Sequence, residues 1–177
     1  MSNGVVASVH LHPVISGDPF LPANELTLVA EKGIKGNGEG RMYDNGSRRQ
    51  VSLIGREQLS EHAKALACSI FSPGAARSNI ETEGINLIEW IGCNARIGEA
   101  ELYLYAPRTP CRKMNAIVNG LRDQMADGNQ GVMAEVTRSE TILVGDTITQ
   151  VSGIGLFLSF RQSSFCRIIG KVLLCYL

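Results

Sequence analysis

In the stretch APRTPCRKMN, residues 106–115, Cys111 follows Pro110 and precedes Arg112 and Lys113, with Arg108 close upstream. Positive charge beside a thiol favours the thiolate, the form that attacks electrophiles and binds soft metals. Pro107 and Pro110 fix φ and make the approach rigid, which suits a group that must be held in place. The same pattern also describes a half-buried structural cysteine, since sequence neighbours need not be neighbours in space, and both readings stand at this point. Cys68 and Cys93 read as structural, at a helix end and in a loop, while Cys166 and Cys175 lie in an apolar tail and carry no signal.

Three other groups offer chemistry. Arg77 and Asn79, in GAARSNIETEG, stand at the expected start of a strand. Arginine presents a fixed fork of donors that suits phosphate and pterin-like heterocycles, and asparagine supplies both donor and acceptor, though a solvated loop accounts for the pair as well. The glycine-rich GIKGNGEG, residues 33–40, could turn backbone N–H groups toward an anion. It contains neither G-x-x-x-x-G-K-[ST] nor a G-x-G-x-x-G between strand and helix, so an irregular surface loop is the simpler reading. His10 and His12 share one face of an expected strand, which begins a metal site but shows no third ligand.

The elements that must position these groups are short. GVVASVHLHP alternates with period two, NELTLVA and QVSLI read as strands, and ARIGEAELYLYA predicts two strands around Gly98. GVMAEVT and DTITQV close the body, with Gly145-Asp146 predicting a hairpin turn between them. GREQLSEHAKALA places Leu59, Ala63 and Leu66 on one helical face, and a second helical stretch runs over residues 113–125, interrupted by Gly120. Residues 31–49 form a long loop without periodicity, of the kind that is usually functional or mobile. Many short strands, few helices and frequent turns predict a mainly β fold, a barrel with one to three covering helices.

Composition narrows the classes. At 177 residues and 44% apolar content the chain suits one globular domain with a sizeable core. Zero net charge gives no reason to expect nucleic acid as a partner. Five cysteines without C-x-x-C spacing argue against a zinc site, a redox pair and a disulfide framework. MSNGVVASVH has no charged leader before an apolar run, and no uncharged apolar stretch reaches the roughly 20 residues of a transmembrane segment, so the expectation is a reducing, cytoplasmic setting. Residues 151–177 contain Arg161, Arg167 and Lys171 but no carboxylate. This apolar, basic tail suits contact with a partner or a membrane surface, or the covering of exposed barrel core.

Taken in order, RQVSLI (49–54), PGAARSNIETEGINL (73–87), ARIGEAELYLYAPRTPC (95–111) and GVMAEVTRSETILVGDTI (131–148) resemble the MOSC domain, the module at the C-terminus of molybdenum-cofactor sulfurases and in stand-alone proteins. The resemblance implies a MOSC-type β-barrel over residues 1–150, with 151–177 a separate tail. The family's signature cysteine falls on Cys111, and the asparagine of its R-x-N-I element falls on Asn79, with Arg77 ahead of it. In members that bind molybdenum cofactor (molybdopterin) this cysteine ligates molybdenum, and basic and polar groups at the barrel mouth hold the pterin and its phosphate. Arg77, Asn79, Arg49 and Gln50 are therefore the expected cofactor contacts, the last two from their place beside the signature strand. Where the family often shows G-D after its second strand, this chain has Asn37.

The resemblance implies reduction of N-hydroxylated substrates with an external electron donor. A carrier that holds persulfide sulfur or delivers cofactor is the rival, and a barrel that has lost its site is a third reading. Electron-transfer or cofactor-biosynthesis proteins are the implied partners. Pyridoxal phosphate belongs to a separate domain of the full-length sulfurases and is not expected here.

Overall fold

The computed structural model describes residues 3–15, 18, 20–38 and 43–151. The tail and the sequence readings placed on it lie outside the described residues. The chain forms strands β1 (Asn3–Leu11), β2 (Leu21–Ala23), β3 (Glu25–Val29), β4 (Gly33–Ile34) and β5 (Val51–Gly55), then helix α1 (Arg56–Ala65). After β6 (Ile80–Glu83) and a 3-10 turn at Leu87–Trp90 come β7 (Asn94–Ile97) and β8 (Ala100–Pro107). Two four-residue helices, α2 (Met114–Ile117) and α3 (Leu121–Gln124), precede β9 (Val132–Arg138), β10 (Glu140–Leu143) and β11 (Thr147–Val151).

Strands β11-β7-β8-β9-β5-β6-β1 are paired in that order, and β1 pairs back onto β11, which closes a seven-stranded barrel among the described residues. Closure leaves no free edge within the ring. Strand β2 hangs on the far end of β1, and β10-β3-β4 form a separate small sheet. The barrel is filled by side chains such as Val6, Leu53, Ile80, Ile97, Leu102 and Val136. A second cluster outside the ring packs Leu59 and Ala63 of α1 against Phe71, Met114, Leu121 and Met125.

Strand β5 carries five buried residues in a row because both of its faces are covered, by barrel core and by α1. Its pairing with β6 is parallel, whereas its pairing with β9 is antiparallel. A parallel pair needs a crossover, supplied here by α1 and the loop 66–79. The segments that enter β5 and β6 therefore reach the same rim of the barrel. Strand β8 ends level with the start of β6, since Pro107 and Leu53 both pair with Val132 while Leu53 also pairs with Ile80.

Three expectations change. A bulge between Val6 and Ser8 breaks the alternation of β1, so Val9 and His10 are both buried. The turn before Asp146 is tight, with its N–H donating to the Leu143 carbonyl at 3.2 Å, but it is not a hairpin: β10 pairs with β3, while β11 pairs with β1 and β7. The stretch 113–125 is two separate turns of helix, because Val118 is extended and Gly120 takes φ +84°, a conformation that glycine adopts without a Cβ clash.

Candidate functional site

The rim built by the parallel pair holds a cleft of about 410 Å³ lined by Arg49, Gln50, Arg77, Asn79, Arg108 and Cys111 among others. The expected metal ligand and cofactor contacts, Cys111, Arg49, Gln50, Arg77 and Asn79, thus line one concavity, and His12 lines it while His10 does not. Cys111 is exposed, and Lys113, two residues on, lines the cleft with it. No Asp or Glu stands among the described lining residues. Such a set of cations suits an anion.

Arg108 is fixed more firmly than sequence alone suggests. One guanidinium nitrogen donates to the Ser78 hydroxyl at 2.8 Å and to the Ala76 carbonyl at 3.4 Å, and another donates to the Arg77 carbonyl at 2.7 Å. Its partners are neutral, so its charge is not cancelled locally. Burial pushes Arg108 down to about 10, attraction to Cys111 works the other way, and repulsion from Arg49 and Arg77 adds to the lowering. It stays cationic at neutral pH.

Arg77 is buried, adopts φ +59° and donates to the Asp18 carbonyl. Its guanidinium lies 5.2 Å from the centroid of Phe20, whose ring meets His12 edge-on at 5.0 Å. A positive φ at arginine is held in place only by surrounding structure, here the Gly74 carbonyl that accepts from Arg77 N–H at 2.9 Å. Burial lowers Arg77, and Cys111 and Asp18 oppose that shift. Arg49 is exposed, and its side chain makes no hydrogen bond or ion pair among the described residues.

Asn79 and Gln50 line the cleft, but their polar groups already hold the fold. The Asn79 carbonyl oxygen accepts from Ser52 N–H at 3.2 Å and Ser52 hydroxyl at 2.9 Å, and its amide nitrogen donates to the His10 carbonyl and to Asn37, each at 3.1 Å. Gln50 donates to the Glu31 carbonyl and accepts from Val136 N–H, both at 2.8 Å. Asn37 accepts from Asn79 and from His12 N–H, while its own amide nitrogen is buried without a partner. Asparagine therefore performs at this position the accepting role that a carboxylate would.

The sequence reading passed over Glu81. Alternation in a half-exposed strand would turn it outward, yet it is fully buried because α1 and the loop 72–78 cover that face of β6. It accepts from Arg56 at 2.7 Å, from Gly74 N–H at 2.8 Å and from the Ser8 hydroxyl at 3.2 Å. The loop that carries Arg77 and braces Arg108 is thus tied to a buried ion pair. Its legible trace was the charged residue two positions after Asn79.

His10 lies beneath the same loop, its Nδ1 donating to the Ser78 carbonyl at 3.1 Å. His12 donates instead to the Pro13 carbonyl at 2.8 Å, and no group of metal-binding side chains occurs among the described residues, so the two histidines do not combine. Burial lowers His10 below its usual 6.5, Glu81 and the Ser78 hydrogen bond resist, and Arg56 adds to the lowering. A depressed histidine contributes stability above 6.5 that is lost as pH falls toward its folded value. The urea midpoint is expected to fall between pH 7 and pH 5.5, and His10→Gln to flatten that slope; an unchanged slope would remove His10 as its cause.

The MOSC domain profile matches residues 38–149. The chain belongs to the MOSC-domain family. A comparison with curated protein sequences gives no match. Among solved structures, the YUAD protein from Bacillus subtilis superposes with a TM-score of 0.72 at 16% identity, over 84% of this chain and 97% of that one. YiiM from Geobacillus stearothermophilus gives 0.67 at 15% identity, over 86% and 77% of the two chains. YiiM from Escherichia coli gives 0.61 at 21% identity, over 87% and 71%. At these identities the likeness is one of fold, and this MOSC barrel shares it. Among the described residues no helix is long and apolar enough to cross a membrane.

Proposed function

We propose that this MOSC protein binds molybdenum cofactor in the rim cleft, with Cys111 as the protein ligand to molybdenum, and reduces N-hydroxylated substrates with electrons from a separate protein. One observation carries the reading. An exposed thiol shares a 410 Å³ cleft with Arg49, Arg77, Arg108 and Lys113, without a carboxylate among the described lining residues. That donor set fits the group, because a soft sulfur suits a metal already held by sulfur, and guanidinium forks suit a phosphate.

Bound there, the cofactor would supply two-electron oxygen-atom chemistry. The chain's own residues bind and orient. Arg108, immobilised on residues 76–78, presents a fixed positive charge, and exposed Arg49 is placed to close on an anion. Asn79 and Gln50 hold β5 against its neighbours, so we assign them the shape of the cleft rather than new hydrogen bonds. A cytoplasmic setting and a partner from electron transfer or cofactor biosynthesis follow from this reading.

The exposure of Cys111 favours one rival, a persulfide carrier, which needs an accessible sulfur and no enclosed pocket. Expression in cells that make the cofactor, followed by metal measurement by mass spectrometry, separates the two. Wild type should hold molybdenum and Cys111→Ser at least about tenfold less, the smaller loss seen when even an outer partner of a metal ligand is removed. Negligible metal in both would sink the cofactor reading, and a trapped Cys111 persulfide in its place would establish the carrier.

A further inference from the structure

A second cleft of about 470 Å³ opens beside the first and shares Phe20, Arg77 and Lys113 with it. Its remaining walls are the turn Ser72–Ala75 and, from α2, Ala116 and Ile117. Phe20, Pro73, Ala75, Ala116 and Ile117 make it apolar, and its volume lies within the range of small-molecule pockets. The charged groups among its described lining residues are Arg77 and Lys113, and the Asp18 carboxylate acts on Arg77 from beside them, which leaves the cations in excess among these three. Phe20 and Arg77, whose guanidinium lies 5.2 Å from the ring centroid, face both spaces.

We propose that this second cleft is the substrate subsite, and that it selects an anionic molecule with an apolar, ring-sized body. This rests on the cofactor reading for the adjoining cleft and adds the charge class of the substrate. Two cations at the shared wall place the ligand's negative group toward Cys111, while the turn 72–75 and α2 take its apolar body. The same field opposes a cationic ligand of equal shape, so protonated amidine-like bases are disfavoured. A specificity of this kind arises as much from repulsion of the wrong charge as from attraction of the right one.

The test uses the full chain without cofactor and two probes of one shape, 4-isopropylbenzoate and 4-isopropylbenzamidine, measured by calorimetry with inorganic phosphate present to occupy the neighbouring cleft. The benzoate is expected to bind at least about tenfold more tightly than the amidinium, a ratio of the size that one well-placed charge produces. Ala116 is exposed, so replacing it need not disturb the core. Ala116→Trp should abolish benzoate binding by filling the space, and Ala116→Glu should weaken the benzoate and strengthen the amidinium. Both variants should keep the wild-type affinity for phosphate and the wild-type molybdenum content, which shows that the fold and the first cleft are intact. Equal affinity for the two probes, or benzoate binding untouched by Ala116→Trp, overturns the proposal even if molybdenum is retained. Loss of molybdenum binding in the wild type with the probe preference intact would instead overturn only the cofactor reading.

Discussion

Glu81→Ala is expected to destabilise the folded protein by about 3 kcal/mol, the lower end of what breaking a buried ion pair costs. Glu81 is fully buried, and its removal strips acceptors from Arg56, from Gly74 N–H and from the Ser8 hydroxyl together. The lower end applies because the Arg56 side chain keeps 24% exposure and reaches Glu83 at 3.6 Å, so its charge is not left stranded. Glu81→Gln keeps the shape and one acceptor and should lose less. The damage should extend to the site, since Gly74 begins the turn that sets Arg77 at its positive φ and supplies the carbonyls that hold Arg108. Urea unfolding of both variants measures the effect. A Glu81→Ala midpoint equal to wild type would show that the pair does not hold the loop.

Gly131→Ala should be more damaging still. A Cβ at this position would lie 2.0 Å from the Leu53 carbonyl oxygen and 2.8 Å from the Ile54 Cα, both backbone atoms of β5 with no rotamer to yield. Its φ of +77° adds roughly 1–2 kcal/mol for any residue with a side chain. Together these place the loss above about 4 kcal/mol, the exceptional class for a single substitution, and enough to prevent folding of a marginal domain. Because the Gly131 carbonyl accepts from Arg108 N–H at 2.9 Å, whatever folds should also misplace Arg108. Gly36→Ala is the control: φ is +80° there too, but nothing lies within 4 Å, so only the conformational cost of roughly 1–2 kcal/mol applies. Soluble yield and thermal midpoint distinguish the two, and equal losses would contradict the clash.

Much of the architecture was legible because it depends on local pattern. The run QVSLI announced a strand, and Leu59 with Ala63 announced the inner face of α1. Strand β10 was not legible, since the partner that makes ETIL a strand is β3, far away in sequence. The bulge in β1 also escaped, because period two is a backbone rule and a bulge is set by what β6 presents opposite it.

The site divides in the same way. The sequence by itself determined which residue types were available: a cysteine flanked by Arg108 and Lys113 at a strand end, an arginine and asparagine at a strand start, and Arg49 and Gln50 at the start of RQVSLI. Only the tertiary structure decided that these share one cleft, through the parallel pairing of β5 with β6 and the level meeting of both with β8 and β9. It also decided that Asn79 and Gln50 are committed to hydrogen bonds with neighbouring segments while Arg49 lines the cleft exposed, and that Glu81 is buried beneath the arginine loop. Residue type is written in the chain one position at a time, whereas burial and the pairing of hydrogen-bond groups depend on contacts between segments that meet only when the barrel closes.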